Sequence, residues 1–370
     1  MHLQYFINNK KYKVYIKENI NKSLVDDLIL LSSDRKVLLV YDVNISKEII
    51  EEIFKELKIS GFQIFKKEVL GGKENKNEKF LFNILDSLSS NKFTKNSILL
   101  SVGGGVVGDV TGLSASLFMR GINYVHIPST MMAVLDSCLG GKNAINYKHR
   151  INLIGSYYHP HRVYISGKLI KKIPQRDFIS GLAEAIKCGI IDNEKILFLL
   201  ENFKKEILDR NFKIIQKLCN LVLRSKIKFF LTDIYEQNTR LYLNFGHTFA
   251  HSIEMMQNQI HFPNKLNHGE AVSVGMVCEM LYGKTKKKII DRTINLLNFY
   301  NLPTFFKLSK NFNLQKIQSY IYENIFLDKK NDGKFARYIK ISDLKKKKIA
   351  KIDNMYLLND VIYKILKIKP

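Results

Sequence analysis

The sequence predicts an α/β N-terminal domain followed by an all-α C-terminal domain. Three observations predict this: a short, mainly apolar segment without polar alternation at residues 99–102, a glycine-rich turn directly after it, and helical periodicity almost throughout the chain beyond Pro174. Apolar segments without polar alternation are typical of buried parallel strands, and apolar residues every three to four positions indicate helices. We therefore expect an α/β domain over residues 1–173 and a helical domain over residues 174–370.

The N-terminal part alternates predicted strands and helices. Residues 3–7 and 12–16 alternate around the polar pair Asn8-Asn9, which predicts a hairpin. The remaining expected elements are a buried strand at 37–41, further strands at 63–65 and 124–127, an amphipathic helix at 46–57, and a short helix at 131–138 capped by Ser129 and Thr130. We expect an irregular, functional loop over residues 140–158.

The C-terminal part is predicted to be built from helices. Their apolar residues recur with a period of 3.6 in segments 181–191, 212–232, 248–257 and 270–282. No internal repeat or low-complexity linker separates the two parts.

The glycine-rich turn predicts a Rossmann-like nucleotide site. Gly103, Gly105 and Gly108 fit the spacing G-x-G-x-x-G between a strand and a helix, which gives a tight turn and free backbone N–H groups that favour anions. An ordinary strand-to-helix turn has the same pattern. The acidic residue expected about 20 residues further on is missing before Asp136, so Asp42, at the end of a predicted strand, is the candidate ribose partner.

Composition favours a small anionic substrate over nucleic acid. The formal charge is +25 over 370 residues, but the basic residues are spread along the chain and no RNA-binding motif is present. The lysine run 345–348 is the main exception worth testing. Four scattered cysteines without a C-x-x-C pair, no signal-peptide pattern and no long apolar segment lead us to expect a cytoplasmic protein without a membrane anchor.

The helical part contains residues of metal-ligand type. Glu184, His247, His251 and His268 all occur in it, and His247 and His251 are spaced i, i+4 on one helix face, as metal-binding pairs are. Spacing alone selects those two histidines, with His268 and Glu184 competing for the third position. Alternatively, such histidines cap or fill helix ends. A set of cations, which would suit a phosphate- or carboxylate-bearing substrate, comprises Arg120, Lys142, Lys187, Lys226, Arg240 and Arg337.

Taken together, the motifs resemble those of the 3-dehydroquinate synthase family. They are GGGVVGDVTGLSAS, MRGINYVHIPSTMMAVLDSCLGGKNAIN, INLIGSYYHP, GLAEAIKCGII, LNFGHTFAHSIE and HGEAVSVGM, in the family's order over residues 36–345. The resemblance implies a dehydroquinate synthase-like fold, bound NAD, a divalent metal (zinc or cobalt) and a homodimer. It also implies a sugar-phosphate substrate, 3-deoxy-D-arabino-heptulosonate 7-phosphate, converted to 3-dehydroquinate and phosphate within the shikimate pathway.

The same resemblance assigns site residues. It implies the metal ligands Glu184, His247 and His268, which makes His251 a substrate-side residue. The implied NAD contacts are Asp42, Asn44, Gly71, Gly72, Lys73, Glu74, Asn75, Lys76, Gly105, Val106, Val107, Gly108, Asp109, Ser129, Thr130, Lys142, Leu169, Ile170, Lys171 and Lys172. The implied substrate and catalytic residues are Asp136, Lys142, Asn152, Lys187, Lys226, Arg240, Asn244, His251 and Arg337, with Arg120 supplied by the partner subunit.

Departures and rival interpretations accompany the resemblance. Ile151 stands where the family has a lysine, so Arg150 or Lys148 would have to compensate, and the lysine-rich segment after Leu344 matches poorly. A related sugar-phosphate cyclase would share the fold and differ in substrate. A metal-dependent alcohol or glycerol dehydrogenase would release NADH. A basic nucleic-acid-binding protein would account for the charge but not for the placement of glycines and histidines.

Overall fold

The computed structural model describes residues 1–148, 150–260, 262, 264–308, 313–327 and 335–368. By their contacts, the described residues form two compact units. The first comprises residues 1–178 and 208–227, and the second comprises residues 179–207 and 228–370.

The first unit is built around a mostly parallel sheet. The strands of this unit are β1 (His2–Ile7), β2 (Lys10–Lys17), β3 (Lys36–Asp42), β4 (Gln63–Val69), β5 (Ile98–Gly103), β6 (Asn123–Pro128), β7 (Lys142–Tyr147), β8 (Arg150–Tyr157) and β9 (Arg162–Ser166). Its helices are α1 (Asn21–Leu31), α2 (Lys47–Ile59), α3 (Glu78–Ser90), α4 (Gly105–Leu117) and α5 (Gly167–Lys172). Within the described residues, seven strands form one sheet in the order β1-β2-β9-β6-β5-β3-β4, in which only the β1–β2 pair is antiparallel.

Helices cover both faces of this sheet. Along β3, Val37 and Leu39 pack in one apolar cluster with α1 and α2, whereas Leu38 and Val40 pack in another with α3 and α4. Neighbouring residues of a strand point to opposite faces, so a strand covered on both sides must be apolar throughout. This is why β3 and β5 lack polar alternation, and the buried strands predicted at 37–41 and 99–102 are confirmed. The strands predicted at 63–65 and 124–127 are also present, in β4 and β6.

The predicted N-terminal hairpin and short helix are also present. Asn8 and Asn9 both adopt positive φ (47° and 61°), as the two central residues of a type I′ hairpin turn require. Thr130 Oγ1 accepts a hydrogen bond from the Ala133 amide at 3.1 Å, and the segment that follows is wound as a π-helix, Ala133–Ser137. Ser129 instead donates its own amide to the Gly103 carbonyl at 2.9 Å.

The prediction of an irregular loop at residues 140–158 is wrong, because this segment contains the antiparallel pair β7–β8. Strand β7 alternates, with Asn143 and Ile145 buried, but β8 is exposed along nearly all of its length. A strand that buries so few of its side chains carries no amphipathic pattern by which the sequence would show it.

The second unit is helical, as predicted, and contains two small sheets that were not predicted. The helices from Pro174 onward are α6 (Gln175–Ile191), α7 (Glu194–Asn202), α8 (Lys204–Leu208), α9 (Phe212–Thr232), α10 (His247–Gln259), α11 (His268–Tyr282), α12 (Lys287–Phe299), α13 (Leu314–Leu327) and α14 (Met355–Ile365). The strands are β10 (Phe306–Leu308), β11 (Arg337–Asp343), β12 (Lys346–Lys351) and β13 (Leu366–Ile368), paired as β10–β13 and β11–β12. The core of this unit is formed mainly by α10, α11, α13 and α14.

The contacts divide the chain differently from the predicted boundary at 173/174. The boundary between the two units falls between Phe178 and Ile179. Residues 208–227, which include most of α9, belong with the first unit. Gln216 Nε2 donates to the Ile16 carbonyl at 2.7 Å, and Gly167 lies against Phe212. The helical periodicity of α9 cannot reveal this, because it shows which face is buried and not what covers it.

Histidines buried in the first unit make its stability depend on pH. Burial lowers the pKa of His126 to about 3 and that of His161 to about 4. Below about pH 6.5 the unfolded chain protonates these histidines and the native protein does not. The free energy of unfolding should therefore fall by about 1.4 kcal/mol per pH unit per histidine as pH decreases from 6.5 towards 5.

Urea denaturation between pH 7 and pH 5 measures this dependence. The His126→Gln variant should show a slope about 1.4 kcal/mol per pH unit shallower. An unchanged slope in the variant would show that His126 protonates in the native protein.

Candidate functional site

The predicted nucleotide-binding segments of the first unit lie at one edge of its sheet. Strands β3, β4, β5, β6 and β9 are parallel, so their carboxyl ends share an edge, which is where open α/β sheets bind ligands. At those five ends, or shortly after them, lie the predicted residues Asp42, Asn44, Gly71–Lys76, Gly105–Asp109, Ser129, Thr130 and Leu169–Lys172. The topology therefore brings together segments that are far apart in the sequence.

Local contacts fix the first of these segments. Asp42 Oδ1 accepts hydrogen bonds from the Asn44 amide and the Asn44 side chain, both at 3.0 Å. A Cβ atom on Gly71 would lie 2.3 Å from Asp42 Oδ2, so any larger residue would displace the carboxylate. Lys73, Glu74 and Asn75 form a short 3-10 turn after Gly72.

The glycine-rich turn packs closely against neighbouring strands. A Cβ on Gly104 would lie 3.0 Å from Thr130, and one on Gly108 would lie 3.0 Å from the His126 ring. Tyr124 donates its hydroxyl to the Gly108 carbonyl at 2.9 Å. Helix α4 thus starts at the sheet edge with its first N–H groups at an anion-favouring helix end.

A polar cluster joins three predicted residues of this unit. Lys76 Nζ lies 2.5 Å from both Asp109 Oδ2 and Asn152 Oδ1, and the Asn146 amide donates to the Lys76 carbonyl at 2.7 Å. Burial raises the pKa of Asp109, and the Lys76 ammonium opposes that rise. These contacts tie the 71–76 loop to the β7–β8 hairpin.

A second pair in the first unit joins Asp136 and Lys226. Lys226 is 5% exposed, donates to the Asp136 carbonyl oxygen at 2.7 Å and forms an ion pair with its carboxylate. In α5, by contrast, the Leu169 and Ile170 side chains are buried, and Lys171 pairs with Glu18 at 2.7 Å. Only the backbone of Leu169 and Ile170 is left to face a ligand.

Two further predicted residues of this unit, Arg120 and Lys142, are exposed. Arg120 has a positive φ of 62° in the turn after α4, and Lys142 opens β7 directly after Gly140 and Gly141, which also have positive φ.

In the second unit the structure brings together Glu184, His247 and His268. One ligand-type atom from each lies within 4.8 Å of the other two. His251 is adjacent but outside this group, with its ring centre 5.5 Å from that of His247 and 6.3 Å from that of His268. Helix spacing alone therefore selects a different pair from the one the fold assembles.

Close helix contacts hold the three side chains in place. Gly246 has a positive φ of 84° and immediately precedes His247, and a Cβ on Gly275 would lie 1.9 Å from the Gly246 carbonyl oxygen. On α6, Ser180 Oγ donates to Asn267 Oδ1 at 2.5 Å, one residue before His268. Asn267 also caps α11 through a capping box with Glu270. Sequence reasoning missed Ser180 and Asn267, although the spacing N-x-x-E predicts such a cap.

The carboxylate of Glu184 suits a cation. It is 0% exposed. Lys187 Nζ lies 2.5 Å from one oxygen, and His247 Nε2 lies 3.8 Å from the other. Burying a carboxylate is unfavourable unless it is paired or bound to a metal, and one carboxylate with two histidines is a donor set typical of catalytic zinc. The residues present therefore fit a divalent metal.

The remaining predicted residues of the second unit are anchored by polar contacts. Arg240 is 4% exposed and donates to the Ile234 carbonyl at 2.7 Å, and Asn244 donates to Glu236 at 2.9 Å. Arg337 opens β11, and its carbonyl accepts a hydrogen bond from Thr248, the residue after His247. The segment DKKNDG before Arg337 lies outside the described residues.

The lysine run at 345–348 lies in β12 and the turn before it. The Lys347 ammonium is 5.2 Å from the ring centres of both Phe229 and Tyr242, and burial lowers the pKa of Lys347. One lysine of the run is thus engaged with aromatic rings. Among the described helices, none combines the length and apolar character that crossing a membrane requires.

Comparison with known proteins gives consistent matches along the chain. The family models described as 3-dehydroquinate synthase N-terminal and C-terminal match residues 66–180 and 181–331. The 3-dehydroquinate synthase of Clostridium acetobutylicum is 32% identical over 360 residues, covering 95% of this chain and 96% of that protein.

Two solved structures share the fold. A 2-deoxy-scyllo-inosose synthase complexed with carbaglucose-6-phosphate, NAD+ and Co2+ has a TM-score of 0.85 at 22% identity, covering 99% of this chain and 100% of that one. ValA, a 2-epi-5-epi-valiolone synthase from Streptomyces hygroscopicus with NAD+ and Zn2+ bound, has a TM-score of 0.84 at 19% identity, covering 98% of each chain. The two family models, which together match residues 66–331, and the sequence relative, which covers 95% of this chain, show that it belongs to the 3-dehydroquinate synthase family.

Proposed function

We propose that the chain is a phosphate-eliminating lyase that catalyses the reaction named by its family. The substrate is 3-deoxy-D-arabino-heptulosonate 7-phosphate, and the products are 3-dehydroquinate and phosphate. The observation that carries this proposal is the group Glu184, His247 and His268 in a chain that matches the family models in both of its halves.

The proposal includes two cofactors. NAD is held at the sheet edge by the segments that begin at Asp42, Gly71, Gly105 and Ser129, and zinc or cobalt is held by Glu184, His247 and His268. Structures of the same fold bind NAD with Zn2+ or Co2+, which supports this assignment. When bound, NAD would supply a temporary acceptor for the hydride on carbon C5 of the substrate, and the metal would supply a Lewis acid.

The chain's own residues bind anionic groups and move protons in this proposal. Lys142, Arg240 and Arg337 bind the phosphate and carboxylate of the substrate, because cations with fixed geometry favour such groups. The buried Lys187 offsets the charge of Glu184, which it contacts at 2.5 Å. His251, adjacent to His247 and His268 but outside the metal group, is placed near the proton transfers.

We also propose a homodimer. Strand β8 exposes Ile151, Leu153 and Ile154 at 42–48% of their surfaces, and Leu117 and Met119 beside Arg120 are about half exposed. Exposed apolar side chains favour association, and the partner that we propose is a second copy of this chain. The four cysteines are buried and none of them forms a disulfide, which supports the reducing cytoplasm as the compartment.

A phosphate-release assay tests the proposed activity. The heptulosonate phosphate is supplied with zinc and with NAD at a concentration far below that of the substrate. We expect complete phosphate release and formation of 3-dehydroquinate, because the net reaction needs no oxidant. Phosphate release that stops when NAD is exhausted would favour a dehydrogenase, and no turnover with this substrate would favour a related cyclase.

A further inference from the structure

Helix α10 carries a third polar residue on the face that holds His247 and His251. Glu254 follows His247 by seven positions, which places it on the same side of the helix two turns later. It is 8% exposed, and its Oε2 lies 3.4 Å from His268 Nδ1. Glu254 has no part in the ligand set or in the substrate-binding set described above.

The two histidines of the metal group are oriented by different acceptors. His247 Nδ1 lies 3.2 Å from the Phe245 carbonyl oxygen, whereas His268 Nδ1 faces the Glu254 carboxylate. A neutral imidazole that donates through Nδ1 keeps its lone pair on Nε2, where a metal can bind. The acceptor at Nδ1 therefore decides which nitrogen each ring offers.

Of the two rings, that of His268 depends more on its hydrogen-bond partner. The His247 side chain is 10% exposed and is held by surrounding atoms, whereas the His268 side chain is 29% exposed. The capping box of Asn267 and Glu270 fixes the backbone at His268. It does not fix the rotation of the ring, because a sp³–sp² side-chain torsion has a broad preference.

We propose that Glu254 is a positioning residue for the metal site. Its carboxylate accepts the Nδ1 proton of His268, turns Nε2 towards the metal and, through its negative charge, makes that nitrogen a stronger donor. Carboxylates that accept a hydrogen bond from a ligating histidine have this effect in metal proteins generally. The inference rests on the metal site of the proposed function.

Zinc affinity measured by competition with a chromogenic chelator tests this role without relying on activity. Glu254→Ala should bind zinc about 10- to 100-fold more weakly than the unsubstituted protein, as loss of such a partner generally causes. The zinc affinity of Glu254→Gln should lie between those of the unsubstituted protein and Glu254→Ala, because the glutamine amide oxygen still accepts the hydrogen bond but lacks the charge. The visible spectrum of the Co2+-loaded protein should shift in Glu254→Ala, since the ligand field changes.

The matched control is Glu201→Gln, which removes a carboxylate that pairs with Arg292 in the same unit. It should leave the zinc Kd and the cobalt spectrum unchanged. Thermal unfolding of the metal-free proteins separates a folding defect from a loss of affinity, and we expect similar melting temperatures for both Glu254 variants. Unchanged zinc affinity in Glu254→Ala would overturn this inference alone, whereas an unsubstituted protein that binds no zinc would overturn it together with the proposed metal site.

Discussion

Replacing Glu184, His247 or His268 by alanine should, in each of the three variants, abolish tight zinc binding and therefore turnover. Catalytic zinc is held by three protein ligands, so the loss of one leaves only two. Loss of a residue that only hydrogen-bonds a metal ligand lowers metal affinity by up to about 100-fold. Loss of a ligand itself should lower the zinc affinity by more than that. Zinc content after dialysis against a weak chelator, measured by elemental analysis, checks this directly.

His251→Ala is the control for the ligand assignment. Because His251 lies outside the group that the fold assembles, this variant should keep its zinc and lose turnover. An empty site in His251→Ala combined with a full site in His268→Ala would mean that the helix-spaced pair, His247 and His251, is the true one.

Mixing two inactive variants should restore activity if each site uses residues of both subunits. Arg120 is exposed in a left-handed turn beside the exposed apolar residues Leu117 and Met119, which suits a residue at an interface. Arg120→Ala and Lys142→Ala should each be inactive. In a randomly reassorted mixture, one site of each heterodimer keeps both cations, so about a quarter of full activity should return.

Reversible dissociation followed by activity measurement checks this, with heterodimers identified by two different affinity tags. No recovered activity, with heterodimers shown to form, would place Arg120 in the site of its own subunit or outside any site.

The inner strands β3, β5 and β6 could be predicted because both faces of each are buried. In β3, Val37 and Leu38 pack on opposite sides of the sheet, so the segment is apolar throughout and stands out in the sequence. Strand β8 could not be predicted in the same way, because residues such as Ile151 and Leu153 are exposed and follow no burial pattern.

Spacing within one helix predicts only part of the candidate metal site. His247 and His251 share a face of α10, but the group that forms recruits Glu184 from α6 and His268 from α11. The contacts that bring those helices together, Gly246 with Gly275 and Ser180 with Asn267, join positions far apart in the sequence. A single sequence does not show which distant helices pack together. The three metal ligands are therefore predicted from the resemblance to a family and not from spacing.

The central claim is that NAD is used and regenerated within each turnover. The most direct measurement uses substrate that carries deuterium on C5 and follows the label, the phosphate and the NADH absorbance together. We predict that the product retains the deuterium, that phosphate is released from all of the substrate, and that no NADH accumulates. Deuterium in released NADH, formed in step with the substrate consumed, would contradict the claim and identify a dehydrogenase.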